Sequence, residues 1–256
     1  MNHSALTVEN LSVTHNNRKI VENISFRFNK ERINFLIGPN GSGKSTIIKA
    51  ALHLLPINKY EVYGKIKINN NTIWHDNKSN YFSDIRSFLL TNVGYINQSP
   101  FNTLDNTKTI YQHFNEKKLL LKKFNKKKYL YKTNELLTEI GCKDDEIRHI
   151  LNSYPRNLSG GWMQLVNISL ALYGSPDLII ADEGFDYLDI FKIEHALKFI
   201  VNKVLNKSKD TKKLTPLIIC HDYYVIHKVK KIIESLKSNI SMDNIITIHS
   251  MNSKDE

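Results

Sequence analysis

The stretch GPNGSGKST (38–46) places glycines, a lysine and hydroxyl groups at the spacing G-x-x-x-x-G-K-S. Glycines let the backbone curl so that successive N–H groups converge on phosphate oxygens, and a following helix N-terminus adds partial positive charge. Lys44 would reach the β- and γ-phosphates, and the Ser45 hydroxyl would bind Mg²⁺. The stretch predicts a phosphate-binding loop, in preference to a purely structural turn. Its residues are Gly38, Pro39, Asn40, Gly41, Ser42, Gly43, Lys44, Ser45 and Thr46.

A second candidate is LIIADE (178–183), an apolar run that ends in two carboxylates. Asp182 is placed to orient Mg²⁺ and its water shell. Glu183 is placed to polarise an attacking water as a general base. Exposed acids at a strand end are the ordinary explanation of such a pair, but a phosphate loop upstream favours the catalytic one.

Two further polar residues follow apolar runs. His221 comes directly after PLIIC, at the carboxyl end of a predicted strand, where ligands gather in open α/β sheets. We expect it to contact the γ-phosphate. Gln98, in the polar turn INQSP, is a candidate metal or water ligand, although taken by itself it is better explained as a surface residue.

The stretch LSGGWMQ (158–164) combines a serine and two glycines with the bulky Trp162 and Met163 at the start of an amphipathic segment. Small residues before a helix suit an anion contact. A tight turn would need the same residues, so the stretch alone leaves both functions open.

Hydrophobic patterning predicts the elements that position these residues. We expect a hairpin at 5–15 and 19–29, a buried strand at 32–38, and a helix over 45–55 that stops before Pro56. A strand pair at 63–74 precedes a helical, Lys-rich part over 102–157, with one helix closing at Gly141. Strands at 177–182 and 216–221 flank a helix at 190–206, which indicates an α/β core interrupted by a helical insertion.

Composition limits the remaining choices. The chain has 256 residues, 41% of them hydrophobic, a net charge of +11 and two cysteines. Two cysteines do not make a disulfide framework, and the first residues lack a signal pattern, so we expect a cytoplasmic location. No run is apolar enough for a membrane helix. The basic excess suits an acidic partner, but a solvated face is the better explanation of runs such as KKLLLKKFNKKKYLYK (117–132).

Together these motifs resemble the ATPase subunit of an ABC transporter. The phosphate loop, Gln98, LSGG, LIIADE, LD at 188–189 and His221 occur in family order across residues 5–225. The resemblance implies a RecA-like α/β phosphate-loop core, an N-terminal antiparallel β subdomain and an inserted helical subdomain. We assign the core with its β subdomain to 1–100 and 160–245, and the helical subdomain to 101–159, within a single ATPase domain.

The resemblance also implies roles for single residues. Gln98 binds nucleotide and metal in the Q-loop, with Ser45 and Asp182 as the other metal ligands. Glu183 and His221 are catalytic, and Asp189 closes the D-loop. ATP and Mg²⁺ bind between two subunits, where Ser159, Gly160 and Gly161 of one subunit face the phosphate loop of the other. His15 stands where an aromatic residue often stacks on adenine.

Three segments are similar to the peptide/nickel importer branch of this family: 53–69, 96–112 and 136–161. Gly184, the run FDYLD (185–189) and Cys220 depart from the family pattern. The usual strand–Gly–strand ending is also not recognisable after residue 226. The substrate class therefore stays open between oligopeptide and nickel or another metal chelate.

The function implied is an ATPase that powers import through two separate transmembrane permease subunits, at the cytoplasmic face of the membrane. An extracytoplasmic solute-binding protein and a second ATPase subunit complete the system, and no nucleic acid is expected. The alternatives are an exporter ATPase, a soluble ABC ATPase acting on nucleic acid, and a regulatory subunit that hydrolyses poorly.

The family signature, LSGG (158–161), is followed here by unusual residues, and these indicate what the second ATPase subunit is. Trp162, Met163 and Leu165 replace more usual polar or basic residues, and we expect them to pack in the helical subdomain or against a partner. Each signature contacts the ATP held by the partner subunit. The unusual residues therefore predict a heterodimer with two unequal ATP sites, with a homodimer as the alternative.

Overall fold

The computed structural model describes residues 4–56, 58–76, 78–79, 85–124, 133–205, 214–221, 223–236, 242 and 245–251. The strands are β1 Ser4–His15, β2 Arg18–Asn29, β3 Ile33–Ile37, β4 Tyr60–Ile68, β5 Asn71–His75, β6 Lys78–Ser79, β7 Val93–Ile96, β8 Leu178–Asp182, β9 Thr215–Cys220 and β10 Ile246–Ser250. The helices are α1 Lys44–Ala51, α2 Ile85–Asn92, α3 Ile110–Phe124, α4 Thr133–Glu139, α5 Asp144–Asn152, α6 Gly160–Leu172, α7 Ile190–Leu205 and α8 Tyr224–Leu236. Short 3₁₀ turns lie at Pro100–Asn102 and Pro155–Asn157.

The N-terminal sheet is antiparallel, with the order β2-β1-β4-β5-β6. The predicted hairpin is confirmed: β1 pairs with β2 in a register that sets Val8 opposite Phe26, and the turn lies at Asn16 and Asn17. Both asparagines have positive φ, a conformation that asparagine accepts more readily than most residues. The predicted strand pair at 63–74 is also confirmed as β4 and β5.

The second sheet is parallel, with the order β10-β3-β9-β8-β7. Its strands β3, β8 and β9 are buried along their whole length, as expected for a parallel sheet covered on both faces. Strands β3, β9, β8 and β7 are consecutive neighbours, so their carboxyl ends share one edge. The phosphate loop, Gln98, the Asp182–Glu183 pair and His221 each lie at one of these four ends.

Helix α1 lies between the two sheets. Ile47 and Ile48 on α1 belong to one apolar cluster with Leu36 of β3, Ile180 of β8 and residues of the antiparallel sheet. The opposite face of the parallel sheet packs on α6, α7 and α8 in a second cluster. The phosphate loop is therefore held at the junction of both sheets, and the predicted combination of an α/β core with an N-terminal antiparallel sheet is confirmed.

Helices α3, α4 and α5 occupy the segment predicted to be helical, and Gly141 follows α4 with a φ of +101°. Residues 125–132 of that segment lie outside the described part of the chain. Helix α6 differs from the expectation of an amphipathic segment. Every residue from Met163 to Leu172 is buried, because α6 lies between the parallel sheet and the other helices.

Helix α1 ends at Ala51, four residues before the predicted end. His53 adopts a φ of +55°, and its N–H donates to the Ala50 carbonyl at 3.1 Å. The Leu54 N–H donates to the Lys49 carbonyl at 2.8 Å. This pair of bonds is a Schellman ending, with histidine in the position that glycine usually takes. The His53 ring stacks on Trp74 with centroids 4.6 Å apart, which offsets the backbone strain.

The chain end contains an element that was not predicted. β10 is an edge strand that pairs with β3, with Ile248 opposite Phe35. It lies beyond residue 245, where the predicted core ended. Among the helices that the structure describes, none has the length and apolarity needed to cross a bilayer.

The His53–Trp74 stack predicts a pH-dependent contribution to stability. Burial lowers the pKa of His53, so the unfolded chain binds this proton more readily and stability is lost as the pH falls below about 6.5. His53→Asn keeps a residue that tolerates positive φ but removes the stack and the titration. We expect the free energy of unfolding to be about 1 kcal/mol lower than wild type at pH 8 and this difference to shrink toward pH 5, measured by urea unfolding.

The matched control is His75→Asn, since His75 follows Trp74 on strand β5 but has an exposed ring. It should change stability little at either pH. A His53→Asn deficit that stays constant from pH 8 to pH 5 would contradict the titration.

Candidate functional site

The phosphate loop connects β3 to α1. Gly41 and Gly43 have φ values of +82° and +93°, so the loop uses the left-handed conformation that glycine adopts without strain. At Gly43 a Cβ atom would lie 2.7 Å from Val21 Cγ2, so a side chain is also excluded by packing. Gly38 and Ser42 are buried, Thr46 is half-buried, and Pro39 and Asn40 are exposed at the mouth of the loop.

Lys44 is buried beneath this loop, with its Nζ donating to the carbonyls of Gly38 at 2.7 Å and Pro39 at 2.8 Å. Burial lowers the pKa of Lys44, while the carboxylates of Glu183 and Asp182 raise it. The ammonium is thus held between the loop and the two acids.

Asp182 is the central carboxylate of the site. It is buried at the end of β8 and accepts a hydrogen bond from Ser45 Oγ at 2.9 Å and one from the Tyr95 hydroxyl at 3.4 Å. Burial raises the pKa of Asp182, and the Ser45 hydrogen bond opposes that shift. The bond joins the phosphate loop directly to the neighbouring strand.

Hard oxygen donors of this kind suit Mg²⁺. A serine hydroxyl and a carboxylate oxygen 2.9 Å apart are ligands that Mg²⁺ takes together with substrate phosphate and water. The donor set therefore fits the ion. Gln98, the third predicted metal ligand, instead donates its side-chain amide to Glu183 Oε2.

Glu183 lies one residue beyond β8 with a φ of +49°, a strained conformation for glutamate that places its side chain at the strand edge. Its backbone N–H donates to the Ile219 carbonyl of β9 at 3.1 Å, which holds the conformation. His221 Nδ1 lies 3.5 Å from Glu183 Oε1. Beside Glu183 and His221 opens a cavity of about 190 Å³, large enough for several waters.

His15 is half-buried at the end of β1, where its ring stacks on Tyr60 with centroids 4.4 Å apart and planes inclined by 27°. One face of the imidazole is therefore covered by the tyrosine. The two rings form a stacked pair rather than the single ring expected from the sequence.

The predicted signature residues form a second cluster. Ser159 caps α6, accepting the Trp162 backbone N–H at 3.4 Å. Gly160 and Gly161 approach Tyr187, and Asp189 lies two residues further along, where it precedes α7. As expected, Met163 and Leu165 are buried; they lie in the apolar cluster that α6 forms with the parallel sheet and other helices.

Three residues of the site were not found from the sequence. Tyr95 bonds Asp182, Tyr60 stacks on His15, and Gln164 donates its buried side-chain amide to the Gly184 carbonyl, which fixes the turn after Glu183. A tyrosine inside the apolar run VGYI was the one available signal for Tyr95. The others depend on which strands and helices become neighbours.

A larger cleft, of about 760 Å³, runs along β2 and β10 and includes Ser42 as its one phosphate-loop residue. None of the acids or histidines discussed above lines it. The chemistry is therefore concentrated at the shared edge of β3, β9, β8 and β7.

Known proteins share this sequence pattern and this fold. The sequence profile described as ABC transporter matches residues 21–186. An oligopeptide transport ATP-binding protein, OppD of Lactococcus lactis subsp. cremoris, is 27% identical over 83% of this chain and 60% of its own length. A zinc import ATP-binding protein, ZnuC of Buchnera aphidicola subsp. Baizongia pistaciae, is 31% identical over 86% of this chain and 76% of its own. The chain thus spans less than two thirds of the peptide-transport relative.

Among solved structures, the dimeric post-hydrolysis state of an ATP-binding cassette bound to ADP and Pi superimposes with a TM-score of 0.68 at 20% identity. The match covers 87% of this chain and 90% of that one. At this identity the likeness supports the fold. The relatives named above act on different solutes, so they do not single out the peptide/nickel branch.

Proposed function

The chain belongs to the ABC transporter family and carries its ATPase domain, and from this premise we propose that it powers import of a small solute through separate permease subunits. The substrate class we propose is an oligopeptide or a metal chelate such as nickel. The named peptide and zinc import relatives support that range.

The observation that carries the proposal is the convergence of four strand ends. Lys44 and Ser45 follow β3, Gln98 follows β7, Asp182 and Glu183 end β8, and His221 follows β9. Their side chains form two adjacent groups: Ser45 bonds Asp182, and Gln98 and His221 both contact Glu183, the next residue along the chain. A merely structural role for these polar groups would not require them to meet at one edge of the sheet.

In this mechanism the loop amides and Lys44 bind the β- and γ-phosphates. Ser45 and Asp182 would hold Mg²⁺ here, and the ion would supply positive charge to neutralise the phosphate oxygens. Glu183 accepts a proton from a water whose oxygen bonds to the γ-phosphorus as the bond to the β–γ bridging oxygen breaks, which releases ADP. Gln98 and His221 hold the Glu183 carboxylate toward that water.

The complete site is composite in our proposal. Ser159, Gly160 and Gly161 of one subunit face the γ-phosphate bound by its partner, and Asp189 lies at the same contact. His15, backed by Tyr60, stacks on adenine with its uncovered face. The second ATPase subunit is a different chain, and the pair works at the cytoplasmic face of the membrane with two permeases and a solute-binding protein.

Glu183→Gln tests the general base. The amide has the size of the carboxylate but cannot take the proton, so turnover should fall at least about 100-fold. Affinity for ATP should stay near wild type, and with the second ATPase subunit present ATP should trap a closed dimer. The measurements are phosphate release, nucleotide binding and gel filtration with ATP. Glu194→Gln, a surface glutamate paired with Lys198, is the matched control. Unchanged turnover in Glu183→Gln would remove Glu183 from this role.

Purification from membranes tests the transport assignment. A tagged chain extracted in mild detergent should bring down two permeases, a second ATPase and a solute-binding protein, with an untagged strain as the control. The ligand carried by the solute-binding protein then identifies the substrate. Permeases recovered without any solute-binding protein would favour export, and recovery with nucleic acid alone would refute transport.

A further inference from the structure

Two helix N-termini meet in the second cluster. Ser159 caps α6 through the Trp162 backbone N–H, and Asp189 stands at the start of α7, where its Oδ1 accepts the Lys192 backbone N–H at 2.9 Å. Lys192 Nζ lies 3.0 Å from Asp189 Oδ2 and 4.4 Å from the centroid of the Trp162 ring. A single ammonium therefore contacts both segments.

The two segments also pack closely, with little room for a side chain on either glycine. A Cβ atom on Gly160 would lie 3.1 Å from Tyr187 Cδ1, and one on Gly161 would lie 3.3 Å from the Tyr187 carbonyl oxygen. The Tyr187 ring in turn packs edge-to-face on Phe101, with centroids 5.9 Å apart. A shift in the position of either segment must therefore displace the other.

Trp162 differs from its neighbours in the same stretch. Met163 and Leu165 point into the core and are buried, whereas Trp162 is half-buried and presents its ring face to Lys192. Packing alone would be served by an aliphatic side chain. An indole adds the aromatic face that best attracts a cation.

We propose that Lys192 is a positioning residue that fixes the 158–162 segment against Asp189, through its cation–π contact with Trp162 and its ion pair with Asp189. The inference rests on the proposed function, in which Ser159, Gly160, Gly161 and Asp189 face the nucleotide of a partner subunit. The Trp162–Lys192–Asp189 clamp would then hold the 158–162 segment and Asp189 in one fixed arrangement toward that nucleotide.

The charge state of Asp189 agrees with this geometry. The backbone N–H of Lys192, followed by its ammonium, lowers the pKa of Asp189, so the carboxylate remains charged at neutral pH. Lys192 thus satisfies the helix-capping acid and the indole together. Loss of the ammonium alone should release the indole and weaken the cap.

Hydrogen exchange followed by mass spectrometry tests the clamp directly. Lys192→Met keeps the aliphatic stem but removes the charge, and it should speed amide exchange about threefold to tenfold in both peptides 158–165 and 185–193. Lys192→Arg, which keeps both contacts, should behave as wild type. Lys198→Met, on the same helix and paired with Glu194, is the matched control and should change neither peptide.

A double-mutant cycle separates coupling from packing. Lys192→Met should speed exchange in peptide 158–165 of the wild-type chain, but in a Trp162→Leu background it should speed that peptide no further, because its contact with the indole is already lost. If Lys192→Met speeds peptide 158–165 by the same factor in both backgrounds, the clamp is refuted.

Turnover distinguishes failure of the clamp from failure of the proposed function. In the assembled ATPase, Lys192→Met should lower kcat several-fold with KM unchanged, and Lys192→Arg should restore it. Coupled exchange with wild-type kcat in Lys192→Met would refute the positioning role. Coupled exchange in a wild-type assembly that hydrolyses no ATP would refute the proposed function and leave the clamp standing.

Discussion

The hydrogen bond from Ser45 to Asp182 is the interaction on which the rest of the site depends. It joins the first residues of α1 to the end of β8, two segments 137 positions apart in the chain. Asp182 is buried, and a buried carboxylate is costly unless donors surround it. Ser45 and Tyr95 are those donors. The bond therefore satisfies the acid and fixes the phosphate loop against the sheet at the same time.

The parallel sheet makes that bond available. Because β3, β9, β8 and β7 are neighbours, the loop, His221, the two acids and Gln98 all emerge at one edge. Helix α1 is held between both sheets by buried isoleucines, so the loop has little freedom to move away. Glu183 takes a strained backbone conformation at the same edge, and its bond to the Ile219 carbonyl of β9 maintains it. Rigid packing and local backbone strain together fix the position of the Glu183 carboxylate.

The parts predicted from sequence were those with local signals. The glycine spacing, the apolar runs of β3, β8 and β9 and the polar residue after each run sufficed for the core of the site. The sequence pattern predicted an amphipathic segment at α6, whereas every residue from Met163 to Leu172 is buried, because that burial depends on which elements pack against the helix. The early end of α1 depends on a His53–Trp74 stack across 21 positions, and β10 on its pairing with β3. Tyr95 and Lys192 owe their roles to strand and helix neighbours that no short motif encodes.

The measurement that tests the account most directly is Mg²⁺-dependent binding of a non-hydrolysable ATP analogue. Wild type and Ser45→Thr, which keeps the hydroxyl, should bind the analogue more tightly when Mg²⁺ is present. Ser45→Ala should lose that gain, of about 10- to 100-fold, while its Mg²⁺-free affinity stays close to wild type. A full Mg²⁺-dependent gain in Ser45→Ala would contradict the claim that the Ser45–Asp182 pair is the metal-binding centre of the site.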